Sequence, residues 1–327
     1  MTVAALAPLP VLIPLIAAAA TLVFGRRPRV QRYMAIAALM AVLAVSGTLL
    51  FLADRDGTTA LQVGGWDSPI GITLVVDRLS AMMLVVSSIV LLAVMVYAVG
   101  QGIRDGTEDQ PTSIFAPTYL ALTAGISNAF LAGDLFNLYV GFEVLLAASF
   151  VLLTLGASAD RVRAGVSYVL VSLVSSLIFL AGIAYAYAAT GTLNLAQIAV
   201  RLQDVPQGVR TAIFAVLLVA FGIKAAVFPL SFWLPDSYPT APAPVTAVFA
   251  GGSKTWLLII DAGESSRMLS LDDSQITAED GEPVEGEPTS VIDGDPEKTL
   301  KKAVGDLTGV SLDAVIADKG LLVIVED

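Results

Sequence analysis

The chain has no cysteine and no histidine among its 327 residues. Without thiols there can be no disulfide, thiolate zinc site or iron–sulfur ligation. Without imidazole there is no histidine metal ligand, no haem ligand of that type and no imidazole proton shuttle. Any proton chemistry therefore falls to carboxylates, lysines, hydroxyls and water. Neither a P-loop nor a strand-borne glycine fingerprint for dinucleotides is present, so the sequence implies no bound cofactor and no metal. Charge is scarce as well: 14% of residues are charged, against about 25% in an ordinary soluble protein. That excludes a basic nucleic-acid binder and a disordered chain.

Apolar residues are abundant, at 56% with a mean hydropathy of +0.80. The acidic balance is confined to one end. Residues 1–253 hold 12 acidic and 12 basic side chains, whereas residues 254–327 hold 17 and 6, so the whole net charge of −11 comes from the tail. We read residues 1–252 as a transmembrane domain and 253–327 as an acidic soluble tail.

A helix needs about 20 apolar residues to cross the hydrocarbon core of a bilayer. Seven stretches qualify: 3–24, 32–53, 77–100, 114–133, 134–156, 164–189 and 211–233. The first lacks a basic leader and a small-residue cleavage site, so it reads as a retained span. Arg26, Arg27, Arg29 and Arg32 follow it, and Arg161 and Arg163 lie between the fifth and sixth stretches. By the excess of cationic residues in cytoplasmic loops, both loops face inside and the N-terminus outside. Loop 54–76 contains TALQVGGW, which alternates like a hairpin strand. LNLAQIAVRL (193–202) carries apolar residues at helical spacing and predicts a short helix along the surface. The prolines at 235, 239, 242 and 244 forbid continuation of the seventh helix. An eighth stretch, 245–263, is long enough to span but contains Gly251, Gly252 and Lys254. Beyond it, PEKTLKKAVGDLTG reads as a helix and GLLVIVED as a strand. The expected architecture is an all-α polytopic membrane protein with seven or eight transmembrane helices, a proline-broken seventh helix and a small soluble α/β tail.

Two residues stand against this apolar background. Glu143 lies nine residues after Asp134, which at 1.5 Å per residue places it roughly 13 Å into the membrane. An ionised carboxylate there costs from about 2 to over 10 kcal/mol, so ionisable residues inside membrane helices mark function more often than packing. Tyr139 and Ala147 share its helix face, and a hydroxyl with a small gap beside an acid suits a proton relay. Asp134 reads as a helix N-cap. Lys224 is the only lysine before residue 254. An ammonium can release its proton when desolvated, whereas a guanidinium cannot. The alternative for Lys224 is snorkelling to the interface near Trp233. Pro229 removes the bond that would close on the Ala225 carbonyl and predicts a kink with a free carbonyl beside the amine, as in discontinuous transporter helices. Ser167, Ser172, Ser175 and Ser176 form a stripe that reads first as close helix packing, with a polar face beside Glu143 as the alternative. Tyr185 and Tyr187 read as interfacial belt residues.

The motifs GDLFNLYVGFEVLLAASFVLLTLG and AFGIKAAVFPLSFWLPDSYPTAPAPVTAVFAG resemble the fifth and seventh helices of the D subunit of Mrp-type multisubunit Na+/H+ antiporters. LVSSLIFLAGIAYAYAATGTLNLAQIA resembles that family's sixth helix and the loop after it. The wider family includes the proton-pumping membrane subunits of respiratory complex I. The resemblance covers about residues 1–251. It implies that Glu143 and Lys224 are the paired ionisable residues of a first half-channel and that Pro229 marks the broken seventh helix. Its implied partners are other antiporter subunits in a hetero-oligomeric plasma-membrane complex, the lipid bilayer, and protons and Na+ as the transported ions, with no nucleic acid. Family members have about fourteen helices with a second inverted repeat. This sequence departs from them after FAGG, where Lys254 falls one position out of register with a family lysine. The implication is that this chain alone would not exchange ions.

SRMLSLDDSQ followed by LKKAVGDLTGVSLDAVI resembles part of a LytR-CpsA-Psr-type extracellular domain. The arginine of that family's phosphate-binding strand is missing, so no activity carries over. A gene fusion, an assembly chimera or an engineered junction would each produce such a tail. Three functions remain open on the sequence. One is a subunit of a monovalent cation/proton antiporter, a transporter rather than an enzyme. Another is a proton-pumping subunit of an NADH-quinone oxidoreductase-type complex. The last is a non-transporting remnant that packs or assembles.

Overall fold

The computed structural model describes residues 3–25, 27–69, 71–101, 114–156, 158–253, 271–272 and 275–276. The chain divides into two units, Met1–Trp256 and Leu257–Asp327. The helices described in the first unit are α1 (Val3–Leu6), α2 (Leu9–Val23), α3 (Pro28–Asp56), α4 (Arg78–Gly100), α5 (Phe115–Leu131), α6 (Leu135–Leu153), α7 (Ala159–Thr190), α8 (Leu195–Arg201), α9 (Gln207–Lys224), α10 (Leu234–Thr240) and α11 (Ala243–Ser253). Among the described residues five of them, α3, α4, α6, α7 and α9, are long and apolar enough to cross a membrane. The expected first and fourth spans are shorter. The first is divided at Pro8, leaving α2 with 15 residues, and α5 has 17.

Local chemistry sets the helix starts. Pro28 opens α3 at a position where its missing N–H costs nothing. Asp77 caps α4 in a reciprocal box with Ser80, the Ser80 N–H donating to the carboxylate at 2.6 Å and the Asp77 N–H donating to Oγ at 2.9 Å. Ser158 and Asn194 cap α7 and α8. The expected hairpin is present: β1 (Thr59–Gln62) pairs antiparallel with β2 (Thr73–Val76), Thr59 opposite Val76.

α5 lies at the centre of the first unit, with α2, α3, α4 and α6 packed on it, and nearly every one of its side chains is buried. α5 and α6 approach backbone to backbone at two glycines. A methyl group on Gly125 would lie 2.9 Å from the Leu145 nitrogen, and one on Gly141 would lie 3.1 Å from the Ala129 nitrogen. Small residues at such crossings let membrane helices pack without a hydrophobic driving force between them. That crossing fixes the rotation of α6 and therefore the direction of Glu143. α7 packs against α6 on one side and α9 on the other.

One end of the bundle is tied by non-helical backbone. The Gly133 N–H donates to the Thr73 carbonyl at 2.8 Å, the Leu195 N–H to the Gly133 carbonyl at 3.0 Å, and the Leu135 N–H to the Leu193 carbonyl at 3.0 Å. Hairpin, α5–α6 junction and the start of the short helix α8 are thus one hydrogen-bonded patch.

The seventh expected stretch behaves differently from a kinked helix. α9 ends at Lys224, and the prolines after it permit their own short helix, α10, with Pro235 in its first turn. In the second unit β3 (Leu271–Asp272) pairs with β4 (Gln275–Ile276). Arg26, the whole of 254–263 including Lys254, and the helix and strand expected near the C-terminus lie outside the described residues.

Candidate functional site

The α5–α6 crossing and the packing of α7 on α6 bring three helices together around one hydroxyl. Ser176, buried at the middle of α7, donates to Glu143 Oε1 from α6. Lys224, the last residue of α9, donates from Nζ to Ser176 Oγ at 3.1 Å. The amine also lies 5.2 Å from the centre of the Phe142 ring, within cation–π range. Among the described residues the ion pairs are Arg55–Asp56 and Arg78–Asp54, both at exposed positions. Glu143 and Lys224 meet through Ser176 instead. The Lys224 amine is held between α7 and the Phe142 ring of α6.

The serine stripe divides by function of each hydroxyl. Ser175, fully buried, donates to the Ala220 carbonyl of α9 at 2.8 Å, which is close helix packing. Ser176, its neighbour, forms the bridge, and Ser172 lies partly buried one turn before it. Tyr139 does not hydrogen-bond to Glu143 among the described residues. Its ring packs on Phe179 at 5.9 Å and on Phe136 at 6.1 Å. Ala147, expected to leave a gap beside the acid, faces the outside of the unit. Asp134 caps α6 as expected, accepting the Asn137 N–H at 2.7 Å and, in addition, the Thr73 N–H at 3.1 Å.

The helix break that presents Lys224 lies upstream of Pro229. Ala226 adopts a left-handed conformation at φ 53. The Ala226 N–H donates to the Ile223 carbonyl at 3.2 Å and the Val227 N–H to the Gly222 carbonyl at 2.9 Å, the pair of bonds that closes a Schellman motif. A non-glycine residue in this conformation costs about 1–2 kcal/mol. Pro229 follows three residues later, where it prevents the helix from resuming.

Two side chains hold the broken segment that residue spacing did not single out. Trp233 Nε1–H donates to the Ile223 carbonyl at 3.0 Å. Arg161 donates from Nη1 to the Leu155 carbonyl at 2.7 Å and from Nε to the Thr240 carbonyl at 3.1 Å, joining the end of α6 to the end of α10. Read from sequence, Arg161 is an orientation signal. Its grip on two helix C-termini follows from orphan carbonyls there, visible only once those ends are adjacent. Phe142 was missed for the same reason.

Residues 132–260 match the family described as NADH:quinone oxidoreductase/Mrp antiporter, TM. Over 244 residues the chain is 39% identical to the D subunit of the Na(+)/H(+) antiporter of Alkalihalophilus pseudofirmus, covering 74% of this chain and 49% of that protein. The chain spans about half the length of the curated relatives it matches. Among solved structures it resembles the Mrp complex from Dietzia sp. DQ12-45-1b, with a TM-score of 0.69 and 32% identity over 76% of this chain and 46% of the matched one. It also resembles the membrane-bound sulfane sulfur reductase, an archaeal respiratory membrane complex, with a TM-score of 0.65 and 25% identity over 75% and 51%.

Proposed function

We propose, for a chain whose residues 132–260 match the NADH:quinone oxidoreductase/Mrp antiporter transmembrane family, that it works as a subunit of a multisubunit monovalent cation/proton antiporter in the plasma membrane. Its role there is to relay protons between Lys224 and Glu143 through Ser176. The observation that carries this reading is the bridge itself, an ammonium and a carboxylate joined by one hydroxyl between three apolar helices. The partners in this reading are the other antiporter subunits, and the ions are protons and Na+. In the same reading α2 and α5 cross the bilayer with the five longer helices, the N-terminus lies outside, and residues 253–327 form a separate acidic domain.

A hydroxyl that accepts from Lys224 and donates to Glu143 can pass a proton in one concerted step. The ammonium gives its proton to Ser176 as Ser176 gives its own to the carboxylate. Ammonium and carboxylate become amine and carboxylic acid, with no change in net charge. The charged form is favoured by mutual attraction and by water, the neutral form by a dry apolar surrounding. Wetting of the site or arrival of another cation therefore biases which form is present, and the membrane potential supplies about 2.3 kcal/mol per charge per 100 mV to drive release.

Lys224 is the position to test. In inverted vesicles carrying the complete antiporter, Na+-dependent ΔpH should be lost in Lys224→Arg nearly as fully as in Lys224→Ala, because guanidinium keeps charge but cannot release a proton. Full activity with arginine would show that no proton passes this position. The likeness to a respiratory complex favours a second reading, proton pumping driven by redox chemistry elsewhere. ΔpH that follows a quinone substrate and ignores Na+ would select it.

A further inference from the structure

The lysine of the bridge is the last residue of a helix, and a helix end is the least secure place to hold a side chain. The last carbonyls of a helix lack intrahelical donors and its last turn frays. Here the Ile223 carbonyl, one residue before Lys224, accepts from the Ala226 N–H of the helix-closing turn and also from the buried indole of Trp233, ten residues further on. The Trp233 ring lies against the ring of Tyr168 on α7, with centroids 5.3 Å apart. The Tyr168 hydroxyl meets Ser149 Oγ on α6 at 2.7 Å. Since Ser149 donates to the Leu146 carbonyl at 2.8 Å, Tyr168 is the donor in that contact. All three side chains are buried. A continuous path of contacts therefore runs from α6, six residues beyond Glu143, across α7, to the backbone that carries Lys224.

We propose that Trp233 and Tyr168 are positioning residues, a buried strut that holds the end of α9 against α6 and α7 so that the Lys224 amine stays within reach of Ser176. Neither touches the amine or Glu143 in any contact described above. They act through the Ile223 carbonyl. Arg161 secures the far side of the broken segment by gripping Thr240, and the strut secures the near side. The titratable residues on the elements packed around this region are Glu143 and Tyr139 on α6, Tyr168 on α7, Arg210 and Lys224 on α9, and Asp236 and Tyr238 on α10. Asp160, Arg161, Arg163, Tyr185 and Tyr187 lie toward the ends of α7. The proposal rests on the relay reading above.

The test uses the complete antiporter in inverted vesicles, with Na+-dependent ΔpH recorded across a pH series and the amount of subunit in the membrane measured alongside. Trp233→Phe keeps an aromatic ring against Tyr168 and loses the N–H donor. It should displace the pH of half-maximal activity by about 0.5 unit, a threefold change in proton concentration, at an unchanged membrane level. Tyr168→Phe should displace it in the same direction by less. If Trp233→Phe fails to accumulate, Tyr168→Phe and Ser149→Ala carry the same readout. A profile that stays in place in the accumulating variants, with or without a lower maximum, overturns the strut and leaves ordinary packing. Lys224→Ala separates this outcome from failure of the relay: an active Lys224→Ala sinks the relay itself, whereas an inactive one beside unmoved strut variants sinks only the strut.

Discussion

Helix α6 carries two carboxylates, nine residues apart, that illustrate opposite uses of the same group. Asp134 stands at the N-terminus, where backbone N–H groups are orphaned. Both of its oxygens are committed, one to the Asn137 N–H and the other to the Thr73 N–H of the hairpin. Those donors are fixed by the backbone and carry no labile proton. Glu143 stands in mid-helix, where every neighbouring N–H is already bonded along the helix. Its partner is a hydroxyl, Ser176, which itself accepts from an amine. A carboxylate at a helix start is held by structure, and one in the middle must find a side chain. When that side chain has its own proton to trade, chemistry becomes available.

The comparison breaks hardest at Glu143. Glu143→Gln keeps the size and a hydrogen-bonding oxygen but removes the site that takes up a proton. Na+-dependent ΔpH in the complete antiporter should fall by at least about a hundredfold, or roughly 2.7 kcal/mol, with the subunit present in the membrane at its normal level. Retained exchange would remove Glu143 from the relay. Asp134→Ala should do the reverse. Loss of an N-cap costs about 1–2 kcal/mol, and the Thr73 N–H loses its partner as well. The variant should unfold earlier in a thermal or detergent titration of the purified complex, while exchange per molecule at permissive temperature stays unchanged. A lower specific rate at full stability would mean that Asp134 belongs to the ion path.

The same contrast explains what the sequence made legible. Glu143 and Lys224 could be found because a charge inside an apolar run is conspicuous by its cost. Asp134 could be read as a cap because its position relative to the helix start is local. The hairpin and α8 followed from periodicities of two and 3.6 residues. The break after Lys224 was legible only in part. Pro229 signalled it, but the chain turns at Ala226, a residue with no intrinsic preference for a left-handed conformation, and the bonds that hold it there come from Gly222 and Ile223. Ser176 could not be told from Ser175 by spacing. Which hydroxyl meets which helix depends on how α7 is rotated between α6 and α9. Trp233 and Arg161 are farther still from sequence reasoning, since each acts across a distance that only the fold closes.

Those two adjacent serines give the finest version of the comparison and the smallest expected effects. Ser176→Ala removes the shared partner of Glu143 and Lys224. Water can replace it at some cost in order, so exchange should slow about tenfold, equivalent to about 1.4 kcal/mol, and Ser176→Thr should restore most of the rate by returning a hydroxyl. Ser175→Ala removes a bond of 2.8 Å to the Ala220 carbonyl, an acceptor inside α9 that already serves the helix. No buried group is left wholly unsatisfied, so the loss is that of one neutral hydrogen bond, about 1 kcal/mol of stability. The rate per molecule should not change, because this hydroxyl faces a carbonyl and neither of the titrating groups. Measuring both variants in the same vesicles, with thermal inactivation recorded beside initial rate, separates the two roles. Equal slowing in the two serine variants would show that both merely pack α7 against its neighbours, and the bridge would then be a contact without a proton to carry.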